Sequence, residues 1–432
     1  MTAGADAAPA FARPALEARG VFAAVLGNGF EFFDFTVYST FLGMIGQAFF
    51  PSDNVLVSDL ASAATFGVGF VARPLGGALI GAYGDRAGRK PAMTLSIGLM
   101  AIGSAIIAIT PGYATIGVLA PILLIIARLF QGFAVGGEVG PATMFLLEAA
   151  PKDRRMLFAS WQLASQNLSS LLGGLIGFML ALALSQSSLN AWGWRIPFAF
   201  GVLIAPVGIA IRRQLVETLE KPPQDRARGA SAILSAVIRS NWRGLLLGLA
   251  LISGGTITQY FLITMTPYAI RTLHLPPSSA MLGTITLGVT GCLGALAGGA
   301  LADRWGIRPV VIASRIGLMI VLFPVMKFLV ANPSATTLVL AITILSLLHA
   351  AGVAVVVALT PLIFPPGIRS TGLALTYAVG VAIFGGTATY VITWLVGVTG
   401  DPLASTYYVM AANVVVLLAA LAIRHSDYPA AA

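Results

Sequence analysis

The sequence predicts an all-α integral membrane protein, with twelve transmembrane helices in two pseudo-symmetric bundles of six. Three observations carry this. Only 9% of the 432 residues are charged while 57% are hydrophobic, against about 25% charged in soluble domains, so the charges are too few to cover a soluble surface. A span takes about 20 apolar residues, and twelve with short loops fit the length. A charged turn also recurs half a chain apart: GAYGDRAGRK (Gly81 to Lys90) is answered by GALADRWGIR (Gly299 to Arg308). Such a recurrence reads as two copies of one unit.

In chain order, residues 1–19 are Ala- and Pro-rich and read as a cytoplasmic N-terminal tail. No signal peptide is expected after them, because Glu31 and Asp34 interrupt the apolar run. Spans are predicted at 20–48, 59–82, 92–111, 115–148, 157–184, 195–212, 244–270, 278–302, 309–330, 337–362, 371–397 and 404–424. The outside turns fall at Pro51 to Asp53, Gly112, Ser185 to Ser188, Pro276 to Ser279, Asn332 to Ser334 and Gly400 to Pro402. The first bundle is thus 20–212 and the second 244–424. A cytoplasmic linker at 213–243, containing Lys221-Pro-Pro-Gln-Asp, joins them, and 425–432 form a cytoplasmic tail. Glycine-rich stretches such as Gly173-Gly174-x-x-Gly177 and Gly291-x-x-Gly294-x-x-x-Gly298 let helices approach closely in lipid. Gly254-Gly255 is expected to be a flexible point in the seventh span.

The net charge of +9 is placed by topology. Of 25 Lys and Arg, 20 fall at or beside alternate loops, among them Arg86, Arg89, Lys90, Lys152, Arg154, Arg304, Arg308 and Arg315. That asymmetry puts both termini in the cytoplasm. Lipid is the only partner the charge implies, with no nucleic acid and no protein partner. The single cysteine, Cys292, excludes an internal disulfide. No metal-ligand spacing, phosphate-cradling loop or nucleophilic triad appears, so neither an enzyme, a metal site nor a cofactor is expected.

The repeated turns have a mechanical reading. The fifth and eleventh helices both start at the cytoplasmic face with partly positive N-termini. Asp303 is expected to pair with the fifth and Asp85 with the eleventh, each contact worth about 0.3–2 kcal/mol. Together with Arg86, Arg89 and Arg304 they would latch the halves on the inside. The plainer alternative is that these charges only fix topology and a tight turn.

An ionisable residue at bilayer depth is a functional hypothesis by default. The predicted spans hold Glu31, Asp34 and Glu138, all in the first half, and these are the candidates for proton coupling. Arg73 and Arg128 lie at comparable depth and are candidates for binding an anion. A carboxylate beside an Arg stays ionised, and moving or occupying the Arg favours its protonation, which is a proton switch in physical terms. The alternative is a static buried ion pair. Further polar candidates for substrate contact are Gln162, Gln166 and Asn167 in the fifth span, Thr256, Gln259 and Tyr260 in the seventh, His349 in the tenth and Tyr377 in the eleventh. Arg, Gln, Asn, Thr and Tyr suit an oxygen-rich anion.

The two charged turns, between spans two and three and between spans eight and nine, resemble those of the major facilitator superfamily. GNGFEFFDFTVYSTF, GVGFVARPLGG, RLFQGFAVGGEVG and WGWRIPF are similar to patterns of its metabolite:proton symporter family. ASWQLASQN (Ala159 to Asn167), TITQYFLITMTPYAIRTLHL (Thr256 to Leu275) and AIFGGTATYVITWLVGVTGD (Ala382 to Asp401) resemble bacterial citrate–proton symporters and tricarballylate carriers. The resemblance implies a major facilitator fold in a bacterial inner (plasma) membrane, and import of a tricarboxylate with protons. By that resemblance Asp34 is the first-span Asp, Arg73 belongs to the Arg-Pro motif and Arg128 is the fourth-span Arg. The chain departs from the pattern at Thr360-Pro361, where a Glu is usual, which bears on gating at that end and on the substrate. A symporter of another small carboxylate, such as a dicarboxylate, is the alternative. An exporter fits less well, because the fifth span has no Gly-Pro motif. A transporter-like sensor lacks a sizeable cytoplasmic domain.

Overall fold

A computed structural model gives the fold, describing residues 28–29, 32–87, 89–136, 143, 146–147, 150–214, 238–239, 241–365 and 369–423. The spans follow in chain order. The first bundle has α1 (residues 32–40 and Leu42–Phe49), α2 (Val55–Val71 and Arg73–Ala87), α3 (Arg89–Ile109), α4 (Leu119–Val135), α5 (Arg155–Ala183) and α6 (Ile196–Gln214). The second has α7 (Trp242–Ile263 and Met265–Arg271), α8 (Pro277–Trp305), α9 (Ile307–Ala331), α10 (Ala335–Leu359), α11 (Arg369–Gly380, a π turn at Val381–Gly385, and Gly386–Thr399) and α12 (Ala404–Ala422). Among the described residues, eight helices are long and apolar enough to cross a membrane unaided. The expected tails lie outside the described residues, as does most of the linker.

Local chemistry explains the breaks. Pro74 has no N–H for the Phe70 carbonyl, which accepts instead from Ala72 at the turn that separates the two parts of α2. Arg73 therefore stands at a bend. Gly306, in the second charged turn, has φ 90°, a conformation that glycine adopts without steric cost, and it ends α8. Thr360-Pro361 opens a short 3-10 turn after α10.

The two halves meet along two seams. In the first, α5 lies against α8 through glycines. A Cβ on Gly299 would meet the Met156 carbonyl, on Gly291 the Asn167 amide, on Gly288 the Leu171 backbone, and on Gly174 the Ile285 backbone. In the second, α2 crosses α11, and a Cβ on Gly67 would collide with the Gly386 carbonyl oxygen. The π turn of α11 sits at this crossing, its Gly385 pressed on Thr256, Tyr260 and Phe70.

Three expectations are corrected. Asn54 caps α2, accepting from Leu56 N–H at 3.0 Å. The helix therefore starts at Val55 instead of 59, and Asp59 is a buried acid inside a span. Arg315 is not beside a loop: it sits more than two turns into α9 and is fully buried, because Asn413 gives it a polar partner at that depth. Gly254-Gly255 is no flexible point. The helix runs through it, and a Cβ on Gly254 would meet the Ala412 carbonyl of α12, so these glycines permit close packing.

Candidate functional site

Helical spacing assembles the core of the site in the first bundle. Phe66, Phe70 and Arg73 share one face of α2, and Arg128 and Gln131, three apart, share one face of α4. The Arg73 guanidinium lies 4.6 Å from the Phe35 ring centroid and 4.1 Å from that of Phe70. Arg128 lies 4.5 Å from Phe35, 4.6 Å from Tyr38 and 5.0 Å from Phe66. Phe35 is thus shared by two cations, each stabilised by about 0.5–2 kcal/mol per ring face when desolvated. The second bundle closes the cage: Tyr260 packs edge-on against Phe66 at 5.7 Å and Phe70 at 5.2 Å.

The two arginines differ in how they are satisfied. Arg128 donates to Gln131 Oε1 at 2.7 Å and to the Phe66 carbonyl at 3.4 Å. Arg73 is only 2% exposed, yet its Nε and both Nη atoms have no hydrogen-bond acceptor among the described residues. A desolvated guanidinium with its donors unused is costly, and its planar fork has the shape to grip a carboxylate with two parallel bonds.

Asp34 does not contact either arginine directly. Its Oδ2 accepts from Ser104 Oγ of α3 and, at 3.2 Å, from Gln131 Nε2, which also reaches Ser104 Oγ at 3.0 Å. Its Oδ1 has no partner among the described residues and faces Gly201 of α6. The expected carboxylate–arginine pair is therefore a chain, Asp34–Gln131–Arg128, with Ser104 at its side. Neither Gln131 nor Ser104 stands out in the sequence. The three-residue step from Arg128 was the available signal for Gln131.

The polar patch of α5 divides. Gln162 is held by Asn28 of the first span through a 3.1 Å bond between their amides, with Asn28 also donating to the Gln162 carbonyl at 2.9 Å. Asn167 donates to the Leu163 carbonyl and faces Gly291 of α8. Gln166 alone turns toward Tyr377, which lies with Tyr260 in the electrostatic field of Arg73. The structure thus brings Tyr260 and Tyr377 toward Arg73, with Gln166 beside Tyr377, and places Gln162 and Asn167 in helix contacts. Thr256 packs its methyl on Gly385.

A second buried cluster lies in the other bundle. Arg315 donates to Asn413 Oδ1 at 3.0 Å and to the His349 carbonyl at 3.3 Å. Asn413 donates to Thr258 at 2.8 Å, and His349 Nε2 lies 3.1 Å from Gln259 Oε1. His349 and Gln259 thus belong to a group separate from the two first-bundle arginines.

At one end of the halves, Asp303 accepts from the Met156 and Leu157 N–H groups at 2.8 and 2.9 Å, at the start of α5. Among the described side chains the opposite end has its own link, Arg271 to Asp59 at 3.3 Å. Glu31 and Glu138, and the side chains of Asp85, Arg86 and Arg89, lie outside the described ones. Arg304 is solvent-facing at the end of α8. No group of three potential metal ligands occurs among the described residues.

Comparison with known proteins fits this geometry. The family model described as sugar (and other) transporter matches residues 20–228 and 213–424. The chain is 35% identical to a citrate-proton symporter of Salmonella typhi, covering 92% of this chain and 93% of that protein. It is 36% identical to an alpha-ketoglutarate permease of Escherichia coli, covering 91% of each, and 31% identical to a proline/betaine transporter of the same species, covering 94% and 83%. In fold it is similar to the crystal structure of a D-xylose-proton symporter, with a TM-score of 0.73 at 20% identity over 93% of this chain and 96% of that one.

Proposed function

The chain belongs to the sugar (and other) transporter family of the major facilitator superfamily, and on that premise we propose that it is a proton-coupled symporter importing a tricarboxylate such as citrate or tricarballylate. The single observation that carries the reading is the buried pairing of Arg73, with its donors unused, and the Asp34–Gln131–Arg128 chain beside it. Arg73 takes one substrate carboxylate and Arg128 another, while Gln166, Tyr260 and Tyr377 offer neutral polar contacts. Asp34 carries the proton. Glu31 and Glu138 remain further candidates for that role, and Gln162, Asn167, Thr256, Gln259 and His349 for shaping the pocket. The halves rock about this site. Asp303 with α5 and Asp85 with α11 latch the cytoplasmic face, and Arg86, Arg89 and Arg304 flank the latch. Both termini lie in the cytoplasm, and the membrane is a bacterial plasma membrane.

The relatives transport different compounds at similar identity, so a dicarboxylate of the alpha-ketoglutarate kind is the second reading. The two arginines favour it over a zwitterion, because two cations match two carboxylates. The test is uptake of labelled citrate into vesicles under an inward proton gradient, competed by a panel of carboxylates, proline and betaine. Saturable uptake abolished by a protonophore is expected, with the best competitor naming the substrate. Preference for proline or betaine over every carboxylate would overturn the anion assignment.

A further inference from the structure

The chain between Asp34 and Arg128 has a direction that chemistry enforces. A guanidinium only donates, so the Gln131 atom at 2.7 Å from Arg128 must be the carbonyl oxygen. The amide nitrogen then has to face Asp34 and Ser104, as it does at 3.2 and 3.0 Å. This arrangement gives Oδ2 of an ionised Asp34 two donors, Ser104 and Gln131. It does not suit a protonated one: on Oδ1 the O–H has no acceptor among the described residues, and on Oδ2 it faces an N–H that cannot accept it. Ser104 is the one adaptable group: its hydroxyl reaches both Asp34 and, at 3.0 Å, the Met100 carbonyl.

We propose that Gln131 and Ser104 form the relay by which the proton on Asp34 controls whether Arg128 is free to bind a substrate carboxylate. On protonation the Ser104 hydroxyl turns to Met100 and accepts the Asp34 O–H. Gln131 then loses a charge-assisted bond, roughly twice as strong as its neutral counterpart, that held its amide in place. The amide relaxes, and Arg128 Nη1 exchanges Gln131 for the stronger anionic acceptor. Coupling is reciprocal: substrate on Arg128 withdraws the partner that fixes Gln131 on ionised Asp34, and so favours proton uptake. The charged and titratable groups around the relay are Arg128 of α4, Arg73 of α2, Tyr38 of α1 and Tyr260 of α7. Among the described side chains, α3 contributes Ser104, and α6 presents Gly201 to Asp34.

The inference rests on Asp34 being the proton carrier, and the experiment separates the two. In proteoliposomes, alpha-ketoglutarate is the probe, since a dicarboxylate is fully ionised above about pH 6. Gln131→Met keeps length and apolar volume but breaks the link. It is expected to lose about tenfold or more of proton-driven accumulation, with a flattened dependence of KM on pH. Ser104→Ala is expected to do the same and Ser104→Thr to retain coupling. Undiminished accumulation in both Gln131→Met and Ser104→Ala, with Asp34→Asn uncoupled, overturns the relay and leaves the proton carrier standing. Undiminished accumulation in Asp34→Asn overturns the carrier itself. If the variants fail to insert, infrared difference spectra of wild-type protein with isotope-labelled glutamine supply the answer. A glutamine amide band that shifts on acidification in wild type and stays fixed in Asp34→Asn supports the relay, and one that stays fixed in both overturns it.

Discussion

Arg271 of α7 holds Asp59 of α2 at 3.3 Å and also donates to the Gly43 carbonyl of α1 at 3.2 Å, tying one half to the other. It precedes α8, whose 29 residues run about 43 Å to the end that carries Asp303. The two links therefore stand at opposite ends of the contact between the halves. A transporter that alternates access has to break one of them at a time.

Removing the Arg271–Asp59 pair is expected to favour opening at that end. A partly exposed pair contributes about 1 kcal/mol, so Asp59→Asn should shift the equilibrium by about fivefold. A cysteine at Met44, in a Cys292→Ser background, reports it. Faster labelling by a membrane-impermeant maleimide is expected, and an unchanged rate would mean the pair is not a gate.

Asp303→Asn should loosen the other end. The carboxylate accepts two backbone N–H groups at the start of α5, an arrangement worth about 1–3 kcal/mol through charge and helix dipole together. The variant is expected to label faster at a cysteine placed at Ser160, with a lower transport rate and normal membrane insertion. Slower labelling would reverse the assignment.

Arg73→Lys keeps the charge and removes the planar fork. If Arg73 grips a carboxylate, KM for the preferred substrate should rise about tenfold to a hundredfold while the maximal rate changes less. Arg128→Ala should abolish uptake without loss of insertion. Wild-type KM in Arg73→Lys would remove Arg73 from the site.

Gly67→Val places a side chain against the Gly386 carbonyl where α2 crosses α11. Overpacking of this kind costs about 1–3 kcal/mol or more. Uptake should fall at least tenfold at unchanged expression, because the halves can no longer close. Gly98→Ala, where an added Cβ meets nothing within 4 Å, is the control and should transport normally.

The sequence alone determined the class of molecule. Spans, charged turns and the recurrence of Asp85 at Asp303 follow from hydropathy and charge, properties that act residue by residue against the bilayer. It also singled out Asp34, Arg73 and Arg128, because charge at bilayer depth is conspicuous in a string of apolar letters. Tertiary structure decided what these residues touch. Gln131 and Ser104 are ordinary letters until α1, α3 and α4 are brought together. Arg315 looked like a loop-side cation until Asn413, almost a hundred residues away, gave it a partner. Gln162 and Gln166 are four apart in one span, yet one holds Asn28 and the other faces Tyr377. Partners of this kind depend on helix rotation and crossing, which side-chain packing between distant segments sets. No local pattern encodes them.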